Sequence, residues 1–129
     1  AWALTTRPDA PPAPVVRYTM PLPIEAGLGN DFGSQIALSP DGTRFVYVSA
    51  IDGTPRLWMR ERHRLDAEPL AGTEQAHQAT FSPEGDRIAF ITWDRKLKVI
   101  SRGGAPPTTL ADSGIVRGGL EWGEDGYIY

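Results

Sequence analysis

The motif Ser39-Pro40-Asp41-Gly42 recurs as Ser82-Pro83-Glu84-Gly85, 43 residues further along the chain. A self-similar period of this size marks stacked repeat units, and it restricts the fold more than any other feature. Trp122-Gly123-Glu124-Asp125-Gly126 is a weaker third copy, 41 residues after Phe81. One large apolar residue precedes each turn: Leu38, Phe81 and Trp122. An arginine and an apolar run follow each full copy, Arg44-Phe45-Val46-Tyr47-Val48 and Arg87-Ile88-Ala89-Phe90-Ile91. Leu57 and Leu70 are 13 apart, as are Leu97 and Leu110, so the two units match at both ends. They differ by three residues before the third run, around Asp52-Gly53-Thr54 in one and Trp93-Asp94 in the other.

The turn has a mechanism. Proline presets φ near −65°, an acidic residue follows, and glycine supplies the positive φ that closes a bulged hairpin. Each unit then reads as four short antiparallel strands. The spacing predicts them near Ile36–Ser39, Arg44–Ala50, Arg56–Arg60 and Glu68–Ala71 in the first unit. In the second they fall near Ala79–Ser82, Arg87–Thr92, Lys96–Ser101 and Thr108–Ala111. A four-stranded unit of about 40–45 residues has the size of one β-propeller blade, and blades bury their faces only by stacking around a ring. The expected fold is all-β, a partial β-propeller of about two four-stranded blades plus the start of a third. Blade one spans 35–72, blade two 78–112 and the start of blade three 118–129. The aligned Leu38, Phe81 and Trp122 are expected between blades. Arg44 and Arg87 are expected to pair with a turn carboxylate or carbonyl.

Composition agrees. Gly contributes 14 and Pro 12 of 129 residues, well above the average usage of about 12 % for the pair, which excludes a helical bundle or coiled coil. The 40 % hydrophobic content suffices for a core. With 13 basic against 16 acidic residues there is no basic field for a phosphate backbone, so no nucleic-acid partner is expected. Cysteine is absent, which removes disulfides, thiolate metal sites and Cys nucleophiles. No apolar run approaches the roughly 20 residues of a membrane helix. Residues 1–14, with Pro8, Pro11, Pro12 and Pro14, read as an extended linker. Residues 15–22 read as an edge strand, because Val16, Tyr18, Met20 and Leu22 alternate while Pro21 and Pro23 cannot donate to a ladder. This strand is expected to close the ring as the outer strand of the final blade. A start at Ala1 and a stop in the apolar Gly126–Tyr129 suggest a segment of a longer protein.

Few residues carry chemistry. Asp31-Phe32-Gly33 spells a kinase magnesium motif, but the accompanying glycine loop, lysine and catalytic loop are missing. Gly27–Gly33 lacks the dinucleotide spacing and reads as a connector. His63 sits in the charged stretch 60–64, and neither it nor His77 has zinc-ligand spacing. No Gly-x-Ser-x-Gly elbow or calcium-loop spacing occurs. Carboxylates fall in turns, not in clusters. No catalytic residue, metal or cofactor is expected. The repeat register sets Ser34 and Gln35, His77 and Gln78, and Gly118 and Gly119 at equivalent places ahead of each blade's innermost strand, with Arg117 one step earlier. Gln35, His77, Gln78 and Arg117 are therefore candidates for a ligand- or partner-facing rim, since function concentrates on loops held by a scaffold; ordinary loop residues fit the same positions. Trp93, in a hairpin turn, is the tryptophan expected to be exposed and a candidate interface residue. Trp58 must face away from Leu57 and Met59.

The Ser-Pro-Asp-Gly turn followed by Arg and an apolar strand resembles the repeat of TolB-like propellers, related to WD-repeat blades. More narrowly, the chain resembles the start of the extracytoplasmic propeller at the C-terminus of bacterial transmembrane serine/threonine kinases. The matching stretches are Trp2-Ala3-Leu4 with its Pro-rich continuation, 16–23, 37–42, Leu57-Trp58-Met59-Arg60, Gly72-Thr73-Glu74, 81–85, Gly103-Gly104-Ala105-Pro106-Pro107 and 117–123. Glu84 and the third turn, which lacks Ser-Pro, depart from the pattern. The resemblance implies a non-catalytic sensor or scaffold domain on the periplasmic side of a bacterial inner membrane, attached through a preceding helix outside this chain. Its partners would be an unidentified protein or small molecule and the remaining blades of the same propeller. The same repeats also serve as the substrate-gating propeller of prolyl-oligopeptidase-like serine peptidases and as periplasmic TolB-like scaffolds, and both alternatives stay open on sequence.

Overall fold

A computed structural model describes residues 15, 17, 19, 36–113, 115 and 118–129. Every regular element among them is a strand. Sheet one is β1 (Ile36–Leu38), β2 (Arg44–Ser49), β3 (Arg56–Glu61) and β4 (Ala67–Pro69). Sheet two is β5 (Ala76–Phe81), β6 (Arg87–Thr92), β7 (Leu97–Ser101) and β8 (Thr108–Ala111). Each sheet is an antiparallel meander in chain order, and β5 lies against β1, β2 and β3. A bridge between Trp122 and Ile128 opens a third hairpin. The fold is all-β, two propeller blades and the beginning of another.

The turns form as their residues dictate. Gly42, Gly85 and Gly126 take φ of 67°, 72° and 85°. Their amides donate to the carbonyls of Ser39, Ser82 and Gly123 at 2.8, 2.8 and 3.0 Å. After the turns, β2 and β6 run as β-branched and aromatic residues that suit a strand buried on both faces. Val46, Leu57, Phe81, Ile88, Phe90 and Ile100 fill the space between the sheets, flanked by Ala37, Val48 and Leu70. Phe90 is fully enclosed, and truncating such a side chain to Ala costs about 3–5 kcal/mol. The alternation sends Phe45 and Tyr47 to the opposite face of β2, where both are buried against Trp58 and Ala67. Trp58 therefore packs within its own blade, its indole N–H donating to the Ser49 carbonyl at 3.2 Å.

Blade-to-blade contact also runs through the turns. Arg44 is buried and its Nη2 donates to the Gly85 carbonyl at 2.9 Å, while its guanidinium lies 6.0 Å from the centre of the Phe81 ring. One period on, Arg87 sits 4.9 Å over Trp122. Its charge faces its own turn, with Asp86 at 3.6 Å and Glu84 at 4.0 Å. Both arginines thus have the structural role expected of them.

Several expectations need correction or limits. β5 starts at Ala76, three residues before the strand expected from Ala79, and β4 starts at Ala67 and not at Glu68. Leu38 is 51 % exposed, unlike its counterpart Phe81 at 6 %, because Phe81 faces the preceding blade and the described residues put no blade before Leu38. Trp122 is half-buried beneath Arg87 and is not enclosed as core. Of the edge strand expected at 15–22, only Val15, Arg17 and Thr19 are described; they are exposed and outside any strand. The linker, Asp31-Phe32-Gly33, Ser34, Gln35 and Arg117 lie outside the described residues.

Candidate functional site

Antiparallel pairing places the Ser-Pro-x-Gly turns at one end of the sheets. At the other end are the β2–β3 and β6–β7 hairpins together with the start of β5. That second end holds most of the candidate residues. Thr73 organises it. Its hydroxyl, fully buried, donates to the Leu70 carbonyl at 2.6 Å and accepts from the Leu57 amide at 3.0 Å. The chain then enters β5 through Gln75, whose φ is 66°. Its amide donates to the Pro55 carbonyl at 2.8 Å and its carbonyl accepts from the Trp93 amide at 3.0 Å. One residue therefore ties a hairpin of each blade to the same point.

His77 and Gln78 do not sit in a loop ahead of the strand. Both lie inside β5 and are buried, at 7 % and 3 % exposure. The cause is a bulge: Ala76 pairs with Thr92 and Gln78 with Ile91, leaving His77 as the extra residue. The bulge turns His77 onto the Trp93 ring, centroid to centroid 5.0 Å at 40°. Gln78 Nε2 donates to the Gly118 carbonyl at 2.7 Å, joining two of the positions that the repeat register sets as equivalent. Gln78 is thus a buried tie toward the third hairpin. Trp93 is 37 % exposed, the only one of these side chains that faces solvent substantially.

Charged pairs lie at the same end of the sheets. Lys96 lies 3.1 Å from Asp94. The Thr92 hydroxyl donates to Asp94, and this bond, followed by that from Lys96, holds the carboxyl below its ordinary pKa. Lys96 in turn is raised, first by its hydrogen bond to Asp94. Arg56 bridges Asp52 at 3.0 Å and Glu74 at 3.6 Å. Among the described residues no group of three or more His, Asp or Glu could hold a metal ion. This end thus carries a partly exposed aromatic side chain whose backbone is hydrogen-bonded through Gln75 to both blades, with ion pairs in the same hairpins.

Sequence reasoning missed the bulge at His77 and the role of Gln75. The absence of apolar alternation over Gln75-Ala76-His77-Gln78 hid the start of the strand.

No protein-family model matches the chain, and no curated protein does. Among solved structures, the chain is similar to TolB from Acinetobacter baumannii, with a TM-score of 0.61 and 19 % identity over 77 % of this chain and 26 % of that one. It is also similar to a chain of the nidogen/laminin complex, with a TM-score of 0.52 and 19 % identity over 70 % of this chain and 37 % of that one. The chain spans far less than two thirds of either. At this identity the likeness speaks to architecture, and it agrees with the two meanders and their turns: the fold is that of a partial TolB-like β-propeller.

Proposed function

We propose that this chain supplies protein-binding blades of an extracytoplasmic propeller, and that the partner docks on the end carrying Trp93. The observation that carries the reading is the half-exposed indole fixed between two blades by Gln75 and His77. Aromatic anchors ringed by polar pairs are typical of the centres of protein interfaces. The nidogen/laminin neighbour comes from a complex between proteins, which supports the reading by analogy of fold alone.

The finer reading follows the sequence resemblance: the sensor region of a bacterial receptor-type serine/threonine kinase, outside the cytoplasmic membrane, with binding transmitted to the kinase. Two measurements test the two levels. A photoreactive amino acid placed at position 93 in the host cell should give one discrete protein adduct. The same group at Leu65, 78 % exposed at the opposite end, should not. Identical patterns at both positions overturn the docking site. Reading the gene on both sides should reveal a kinase domain and one membrane helix upstream and further Ser-Pro-Asp-Gly repeats downstream. A signal peptide upstream, or a Gly-x-Ser-x-Gly domain downstream, replaces the kinase with a periplasmic scaffold or a peptidase.

A further inference from the structure

At the end opposite Trp93, a cavity of about 250 Å³ opens between the two blades. Its apolar wall comes from Met59 and Leu70 of the first blade and Phe81, Ile88 and Ile100 of the second. Arg44 lines it as well. Arg44 is 8 % exposed, has no carboxylate within ion-pair distance among the described residues, and its Nη1 has no hydrogen-bond partner. Asp41 acts on it only from beyond ion-pair distance, so a guanidinium largely removed from water keeps an unfilled donor. Two other charged groups border the space, Asp86 and Arg102. The Asp86 carboxylate is engaged by the Ser82 hydroxyl at 2.9 Å and by Arg87 at 3.6 Å. The cavity therefore presents a net positive charge at one side of an apolar chamber. The next junction differs, since Arg87 is half-exposed and paired with its own turn acids.

We infer that this inter-blade cavity binds a small monocarboxylate with an apolar body, its carboxylate on Arg44 Nη1 and its body against Phe81, Ile88 and Ile100. Guanidinium donors suit carboxylate oxygens in direction and charge. The size fits: an apolar protein cavity of about 150 Å³ takes up benzene, so this one holds a ring and a short acidic arm. Such a group occurs as a free aromatic acid or as the C-terminal phenylalanine of a peptide.

The probe is 3-phenylpropionate, titrated into the full chain while the Met59 methyl resonance is followed. Saturable movement is expected, with the neutral 3-phenylpropionamide binding at least tenfold more weakly. Arg44→Met removes the charge and keeps the aliphatic stem, and it should bring acid and amide to equal affinity. If that variant does not fold, the comparison of acid with amide on the native chain decides alone. Gly-Gly-Phe distinguishes the source: competition by the tripeptide points to a chain terminus, and its failure to compete points to a free acid. Equal binding of acid and amide to the native chain, or no saturation because water alone fills the space, overturns the inference.

Discussion

Ser39 is a relay. Its hydroxyl donates to Asp41 at 2.6 Å and accepts from the Arg44 amide at 2.9 Å. Ser82 repeats both bonds, to Asp86 at 2.9 Å and from the Arg87 amide at 3.1 Å. The acid has moved two positions along the turn, which is how the second copy tolerates Glu84 where the first has Asp41. Each serine is buried. Ser82→Ala strands the Arg87 amide and should cost about 1–3 kcal/mol, read as a fall in the urea midpoint at unchanged slope. Asp41 is held well below the ordinary carboxylate value of 3.8, first by Ser39 and then by Thr43. Asp86 and Asp125 are also lowered, chiefly by Ser82 and Tyr129 respectively. A depressed folded pKa means that the stabilisation is present above the ordinary value and is lost as pH falls through the folded one. The melting temperature should therefore be flat near neutrality and decline below about pH 4. Asp41→Asn should remove part of that decline. An acid branch identical to the native chain's would show that the turn acids do not set it.

At the level of elements, connections do much of the fixing. Gly72 has φ of 79°, and a Cβ there would meet the Pro107 ring at 2.6 and 2.8 Å. The end of blade one thus lies directly against the β7–β8 connection. Gly53 has φ of 83° with nothing near. Gly53→Ala should therefore cost only the backbone strain, about 1 kcal/mol, and Gly72→Ala clearly more. Equal thermal shifts for the two variants would remove the proposed contact. Most of this layer was legible. Proline and glycine at fixed places announce the turns, and the apolar runs after them place β6 to the residue and β2 to within one, since it ends at Ser49 and not at Ala50. The three-residue difference between the units reappears as unequal loops enclosed by the pairs Val48↔Leu57 and Ile91↔Leu97. The start of β5 was not legible, because a bulge breaks the period of two by which strands are read, and the candidate rim moved with it: Gln78 became a buried tie. Trp93 kept its exposed place because a hairpin turn leaves little to cover it. The Arg44 cavity was beyond reach, since its width depends on how two sheets separated by 43 residues come to rest.

The whole molecule is a chain of neighbours. Blade two packs on blade one and the third hairpin on blade two, so stability accumulates by junctions. On β1, Ile36 and Leu38 remain 38 % and 51 % exposed, and an uncovered apolar edge invites pairing. The 129-residue chain should scatter light as oligomers that grow with concentration, and Leu38→Glu should shift it toward monomer. A concentration-independent monomer in the native sequence would show that this edge is protected. Arg44 binds its successor through the main-chain oxygen of Gly85. A main-chain oxygen is common to every residue, so the successor's side chains can drift without breaking the link. A whole period placed after Arg44 would thus bring it an acceptor whatever side chains that period carries, whereas the next seam, where Arg87 stacks on Trp122, stays tied to the identity of one side chain.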